Sequence, residues 1–133
     1  MSDRFVIAWA ISRPPMDEGD CWIMVRHKER GWELPGGVIS DSETEDEAAL
    51  RELYEETGVL GTAKAIEDGL ISGGCVVLIE VDEVPSPISW ESEDPSIAEV
   101  GWCFQIPEEN AWGVDEINRL RNHDWRTSRI LGS

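Results

Sequence analysis

Apolar residues along this chain fall into short blocks separated by acidic, Gly- and Pro-rich stretches. FVIAWAIS (5–12) and CWIMVRH (21–27) are rich in β-branched and aromatic residues, so both predict strands. Arg13-Pro14-Pro15 ends the first, and the acidic stretch to Asp20 reads as a loop. Arg30-Gly31 turns the chain into WELPGGVI (32–39), extended but punctuated by Pro35, Gly36 and Gly37. The clearest helix is TEDEAALRELYEET (44–57). Thr44 with Glu47 three residues on is a capping box, and acids crowd the first turn, where the helix dipole favours them. Ala49, Leu50, Leu53 and Thr57 fall within about 100° of one another and predict the buried stripe. Gly58 stands where a helix takes a left-handed exit.

Further strands are predicted at 59–66, at CVVLIEV (75–81) and at IAEVGWCFQI (97–106), with a proline-broken acidic loop over 82–96. VDEINRLR (114–121) predicts a short helix with Val114, Ile117, Leu120 and Arg121 on one side. Strands mixed with two helices, one in mid-chain, indicate an α/β or α+β fold. At 133 residues a single domain over 1–133 is expected, able to bury roughly two thirds of its unfolded surface.

Composition adds one strong constraint. The chain holds 28 acidic and 11 basic residues, a formal charge of −17, which excludes a protein that coats nucleic acid through a basic face. With 41% hydrophobic residues and seven Trp it does not read as disordered. Acids dominate 65–118, which has no Lys or Arg, whereas 119–133 carries four Arg and one Asp. Cys21, Cys75 and Cys103 are an odd, scattered set without a CxxC, which fits buried thiols in a reducing compartment. No run approaches the ~18 apolar residues of a membrane span, and the opening MSDRFVIAWA lacks the pattern of a signal peptide. A cytoplasmic location is expected.

The chemistry concentrates in Gly37-x5-Glu43-x7-Arg51-Glu52-Leu53-x-Glu55-Glu56-x-Gly58-Val59. Glu52, Glu55 and Glu56, at i, i+3 and i+4, share one helix face and repel one another unless a cation neutralises them. Hard oxygen ligands grouped in this way suit Mg²⁺ or Mn²⁺. Arg51 is placed to pair with Glu47 or Glu55, or to reach back to Glu43. A solvated acidic helix face accounts for any two of these carboxylates, but not for the double glycine after Pro35, Glu43, the arginine amid acids and the Gly58 exit together.

This stretch resembles the Nudix box, the signature of hydrolases that cut nucleoside diphosphates linked to another moiety. Ser40 and Ser42 depart from residues common in the family, Glu and Gly, and affect only the loop before Glu43. The resemblance implies an α/β/α sandwich with a central mixed β-sheet between helices. It implies a divalent metal held by Glu52, Glu55, Glu56 and the carbonyl of Gly36, with Glu43 and Arg51 bracing the loop and orienting the carboxylates. It leaves the general base open between Glu52 and an acid of the later loop, among Glu91, Glu93, Asp94 and Glu99. Glu99 is preferred of these four for its place beside the last strand. Arg26 and Lys28, in the basic cluster before the Pro-Gly-Gly turn, are candidate phosphate contacts.

Trp9, Trp22, Trp32, Trp90, Trp102 and Trp112 are candidate stacking partners for a base; most are expected in the core, and Trp90 is the one placed in the acidic loop. The compact length resembles triphosphate-cleaving members. The zone 71–77 carries neither the Pro typical of ADP-ribose hydrolases nor the Tyr typical of dinucleoside polyphosphate hydrolases. The substrate expected is therefore a small nucleotide, first a (deoxy)nucleoside triphosphate, with ADP-ribose, nucleotide sugars and dinucleoside polyphosphates as alternatives. A non-catalytic nucleotide sensor and an acidic docking protein are the readings of other classes. A homodimer is possible through the Arg-rich C-terminal segment.

The surplus of acid over 65–118 exceeds what one metal site needs and speaks to environment or solubility, with salt adaptation and an acidic partner surface as the two readings. On the first, the thermal midpoint is expected to rise between 0.1 and ~2 M KCl, well past the range in which simple screening saturates. A midpoint indifferent to salt removes that first reading.

Overall fold

The computed structural model describes residues 4–13, 21–111 and 113–131. The loop expected from Pro14 to Asp20 and the candidate Trp112 lie outside the described residues. In chain order the elements are β1 (Phe5–Ser12), β2 (Trp22–His27), β3 (Gly31–Glu33), β4 (Gly36–Val38), α1 (Glu45–Thr57), β5 (Thr62–Glu67), β6 (Gly74–Val81), β7 (Ile97–Cys103), α2 (Val114–Arg121) and β8 (Arg129–Ile130). A single 3₁₀ turn, Trp125–Thr127, precedes β8. The architecture is a mixed α+β sandwich. A five-stranded mixed sheet runs β4-β1-β6-β5-β8, and a three-stranded antiparallel sheet runs β3-β2-β7. β1 and β6 pair in parallel from Phe5 opposite Gly74 to Ser12 opposite Val81.

The near-continuous apolar runs of β1, β2 and β6 have a direct cause, because both of their faces are covered. Val6, Ala8 and Ala10 of β1, Ile23 and Val25 of β2, and Cys75, Val77 and Ile79 of β6 pack in one cluster with Ala48, Ala49 and Leu53 of α1. The alternate residues, Ile7, Trp9, Trp22, Met24, Val76 and Leu78, pack in a second cluster with Ile117 and Leu120 of α2. Each strand therefore feeds two cores with a period of two. Trp9 stacks on Trp22 with ring centroids 5.3 Å apart, and Arg121 lies over the Trp22 ring at 5.0 Å.

Several boundaries shift for physical reasons. The strand expected from Val59 begins instead at Thr62. Gly58 leaves the helix at φ 77°, Leu60 is exposed, and a side chain at Gly61 would run into Ile79. The last long strand stops at Cys103 rather than 106, and Phe104 faces solvent. On α1, Leu50 sits at the edge of the stripe while Ala48 and Glu56 join its buried face. On α2, Ile117 and Leu120 are buried but Val114 is exposed. The three cysteines are buried, and none is in a disulfide among the described residues. The C-terminal arginines are engaged within the chain. Arg119 donates to the Leu70 carbonyl, Arg121 covers Trp22, Arg126 pairs with Asp124 and Arg129 pairs with Glu45.

Leu53 is fully buried, and α1 rests on the sheet largely through it. Leu53→Ala is expected to lower unfolding free energy by about 3 kcal/mol in urea melts, against less than about 0.5 for Leu60→Ala on the surface. Equal effects would mean that α1 is not held by this contact.

Candidate active site

The site begins with the way α1 is fixed at its N-terminus. Thr44 accepts the Glu47 amide while the Glu47 side chain accepts the Thr44 amide, completing the capping box. Glu47 is thus used up in the cap, and Arg51 turns to other acids. Its Nε and Nη2 bind the two oxygens of Glu43 at 2.6 and 2.9 Å. Its Nη1 reaches Glu52 at 2.8 Å and Glu55 at 2.9 Å, and Nη2 also donates to the Val38 carbonyl at 3.3 Å. One guanidinium therefore joins three carboxylates to the end of β4. The Arg51 contact, with further hydrogen bonds from Ser40, holds the Glu43 carboxyl down at about 2. Ser40 serves Glu43 through its backbone N–H at 3.0 Å, so the departure at this position leaves that contact intact.

Gly36 and Gly37 form the floor. β4 runs so close to β1 that a Cβ at Gly36 would meet the Val6 carbonyl. A Cβ at Gly37 would stand 2.5 Å from Glu52 Oε1. The bare backbone brings the Gly36 N–H within 3.2 Å of Glu56 Oε2. Glu56 is 9% exposed. Burial, then its hydrogen bond to Glu52, pushes the Glu56 carboxyl up to about 9, with the Gly36 amide opposing. Two carboxylates in contact can share a hydrogen bond only if one keeps a proton. Glu56 stands in the last turn of α1, at the negative end of its dipole and without a basic residue there, which favours a positive charge further. The donor set fits a hard divalent cation, since ionised oxygens crowd a spot from which Cβ atoms are excluded. Glu55, the third of the set, is half exposed and is drawn toward Arg51.

The remaining candidates divide into two groups. Arg26 on β2 and Glu99 on β7 face each other in the sheet and pair at 2.7 Å. Hydrogen bonds from Arg26 and Ser89 lower the Glu99 carboxyl below its usual range. Lys28 is exposed in the turn after β2, and its backbone N–H donates to the Ser96 carbonyl. Trp90 is half-buried, and its Nε1 donates to the Thr57 carbonyl at 2.8 Å. A cleft of about 820 Å³ opens at the C-terminal end of α1, lined by Tyr54, Glu55, Trp90, Glu91, Glu93 and Asp94 among others. The structure thus brings Glu55 and Trp90 to one cleft, while Arg26 and Lys28 do not line it. Trp9, Trp22 and Trp102 are core residues.

Among the described residues, the trio of possible ligand atoms that lies within 4.8 Å of one another is on Glu45, Asp68 and Cys75, and not on Glu52, Glu55 and Glu56. Arg4 and Arg129 already neutralise it, with Arg4 2.8 Å from Asp68 and Arg129 3.1 Å from Glu45. Burial, then a hydrogen bond to Glu45, pushes the Cys75 thiol up to about 12. Ser92 was not signalled by the sequence. Its hydroxyl donates to the Glu56 carbonyl at 2.6 Å, and nothing in the local pattern sets it apart from the loop's other serines.

Residues 6–103 match the NUDIX domain. The chain belongs to the Nudix family. It is 46% identical over 57 residues to YtkD of Bacillus subtilis, a stretch covering 43% of this chain and 34% of that protein. It is 57% identical over 28 residues to an 8-oxo-dGTP diphosphatase of Proteus vulgaris, covering 21% and 25% respectively. It is 45% identical over 42 residues to an RNA pyrophosphohydrolase of Histophilus somni, covering 32% and 21%. The match thus spans about a third or less of these curated relatives. The fold is that of the Bacillus subtilis pyrophosphohydrolase BsRppH, with TM-score 0.62 at 18% identity over 93% of this chain and 84% of that one. A UDP-X diphosphatase superposes with TM-score 0.66 at 23% identity, over 90% and 61%.

The Nudix helix carries a pH signature. Without metal, folded Glu56 keeps a proton up to about 9, whereas the unfolded carboxyl releases it near 4.5. The folded state therefore binds more protons across that window. This contribution to stability is full below about 4.5 and is lost as pH rises toward 9. Urea melts in EDTA are expected to show a decline over that range that Glu56→Gln flattens. An unchanged slope in Glu56→Gln would assign the decline elsewhere.

Proposed function

We propose that this Nudix chain is a metal-dependent (deoxy)nucleoside triphosphate pyrophosphohydrolase, releasing a nucleoside monophosphate and pyrophosphate. The observation that carries the reading is the contact of Glu52 and Glu56 against the Gly36–Gly37 floor, a carboxylate pair in want of a cation. In this reading Glu52, Glu55, Glu56 and the Gly36 carbonyl hold Mg²⁺ or Mn²⁺. When bound, such an ion supplies positive charge for the phosphates and lowers the pKa of a coordinated water. Glu43 and Arg51 hold the carboxylates in place.

Of the candidate bases, Glu52 is favoured over Glu99. It lies at the glycine floor beside Glu56, whereas Glu99 lies on the second sheet, tied to Arg26 and Ser89. Glu99 then orients Arg26, which with Lys28 offers positive charge to the departing pyrophosphate. Trp90 is offered to the base at the cleft.

The relatives named 8-oxo-dGTP diphosphatase and RNA pyrophosphohydrolase support a 5′-triphosphate as the substrate. The charge of −17 favours a free nucleotide over an RNA end, because a polyanion pays an electrostatic penalty at every additional phosphate. A cytoplasmic setting follows from nucleotides as substrates, and no helix of the described residues is long and apolar enough to cross a membrane.

Incubation with Mg²⁺ and a panel of triphosphates, ADP-ribose, nucleotide sugars and dinucleoside polyphosphates is expected to yield pyrophosphate from the triphosphates, fastest at alkaline pH. Glu56→Gln is expected to lower kcat more than ~100-fold without loss of fold. Turnover of another class alone would move the substrate assignment. Nucleotide binding with no turnover of any would replace the enzyme with a sensor.

A further inference from the structure

The last turn of α1 leaves backbone carbonyls without helical partners, and it has no basic side chain to meet them. The Tyr54 carbonyl is met locally by the Gly58 N–H at 2.8 Å. The next two bonds come from far along the chain. Ser92 Oγ donates to the Glu56 carbonyl at 2.6 Å, and Trp90 Nε1 donates to the Thr57 carbonyl at 2.8 Å. The loop that sends these donors is itself anchored. Trp90 exchanges two backbone hydrogen bonds with Val100 of β7, each 2.9 Å. The Ser92 hydroxyl accepts the Asp94 N–H at 3.0 Å, and Asp94 accepts from the Ser96 hydroxyl and N–H.

We propose that Trp90 and Ser92 are positioning residues for the metal-binding carboxylates, clamping the end of α1 to β7 so that Glu56 keeps its place over the glycine floor. This rests on the reading of Glu52, Glu55 and Glu56 as the metal set. Glu56 is then held at both ends, its carbonyl by Ser92 and its carboxylate by the Gly36 N–H. Helix ends fray when their carbonyls lose partners. Loss of the clamp would release Glu56, while Glu55 keeps its contact to Arg51. Glu52, a turn earlier, would stay fixed by Arg51. The clamp also forms part of the cleft wall, since Trp90 and Thr57 both line it. A ligand in that cleft would therefore press on the metal helix directly.

The test is a Mn²⁺ titration of the full chain, read by the paramagnetic resonance of free Mn²⁺, alongside thermal melts. Trp90→Phe keeps the ring and removes the indole N–H; Ser92→Ala removes the hydroxyl and Ser92→Thr restores it. Each of Trp90→Phe and Ser92→Ala is expected to weaken Mn²⁺ binding about tenfold, as loss of a group that orients a metal ligand does. Ser92→Thr is expected to bind as the parent does. Activity of Ser92→Ala at low Mn²⁺ is expected to return at high Mn²⁺, with kcat preserved. Folded variants that bind Mn²⁺ like the parent, or that only melt earlier, would overturn the clamp; should Trp90→Phe not fold, Ser92→Ala decides. Glu56→Gln separates the two failures. If it too binds Mn²⁺ normally, the metal reading is wrong, and if it alone loses Mn²⁺, only the clamp is.

Discussion

Four acidic side chains within fourteen residues of sequence, Glu43, Glu52, Glu55 and Glu56, meet around one arginine. Arg51 is the constraint on which the site depends. Its guanidinium is planar and its donors point in fixed directions, so it sets where three of the carboxylates lie as well as offsetting their repulsion. The same group reaches the end of β4 through Val38 and therefore ties the helix to the strand that carries the glycine floor. Lysine at this position would keep the charge and lose the fork. Glu56 is the one acid of the four with no contact to this guanidinium among those observed, and it is the one whose carboxyl retains a proton. That division follows from geometry. Arg51 covers the outer side of the cluster, and Glu56 faces the buried floor.

Much of the fold could be read from the chain, and the reasons differ by element. α1 was legible almost to the residue because its start and end carry specific chemistry, the Thr44–Glu47 box and Gly58. The strands of the double core were legible because Val, Ile and Trp leave few alternatives in runs buried on both sides. β5 was displaced, because the packing of Gly61 against Ile79 is a tertiary contact that no local pattern encodes. The two-residue β8 and the 3₁₀ turn before it have too little sequence to carry a periodicity.

The site was legible in part for the same reason. The Gly37-to-Val59 spacing is local, so it identified Glu43, Arg51, Glu52 and Glu56, and contacts among these residues are present. The partnership of Arg26 with Glu99 spans 73 residues and arises from strand register. Register depends on how a chain closes, and sequence periodicity gives only which face a residue takes. Ser92 was invisible for a further reason, because its useful partner is a backbone carbonyl, which every residue possesses.

The two-sided burial of β1, β2 and β6 has a consequence for where novelty can arise. A sheet sealed above and below offers no open face on which to build a pocket. Chemistry is confined to the rim, where β4, the end of α1 and the loop before β7 come together. Residues at that rim touch the two cores only at their edges. Changes in the identity of Glu91 and Glu93 can therefore alter the cleft wall while Trp90 and Ser92 keep their hold on the end of α1. A lineage with this architecture is free to explore ligands one loop at a time while its interior stays fixed.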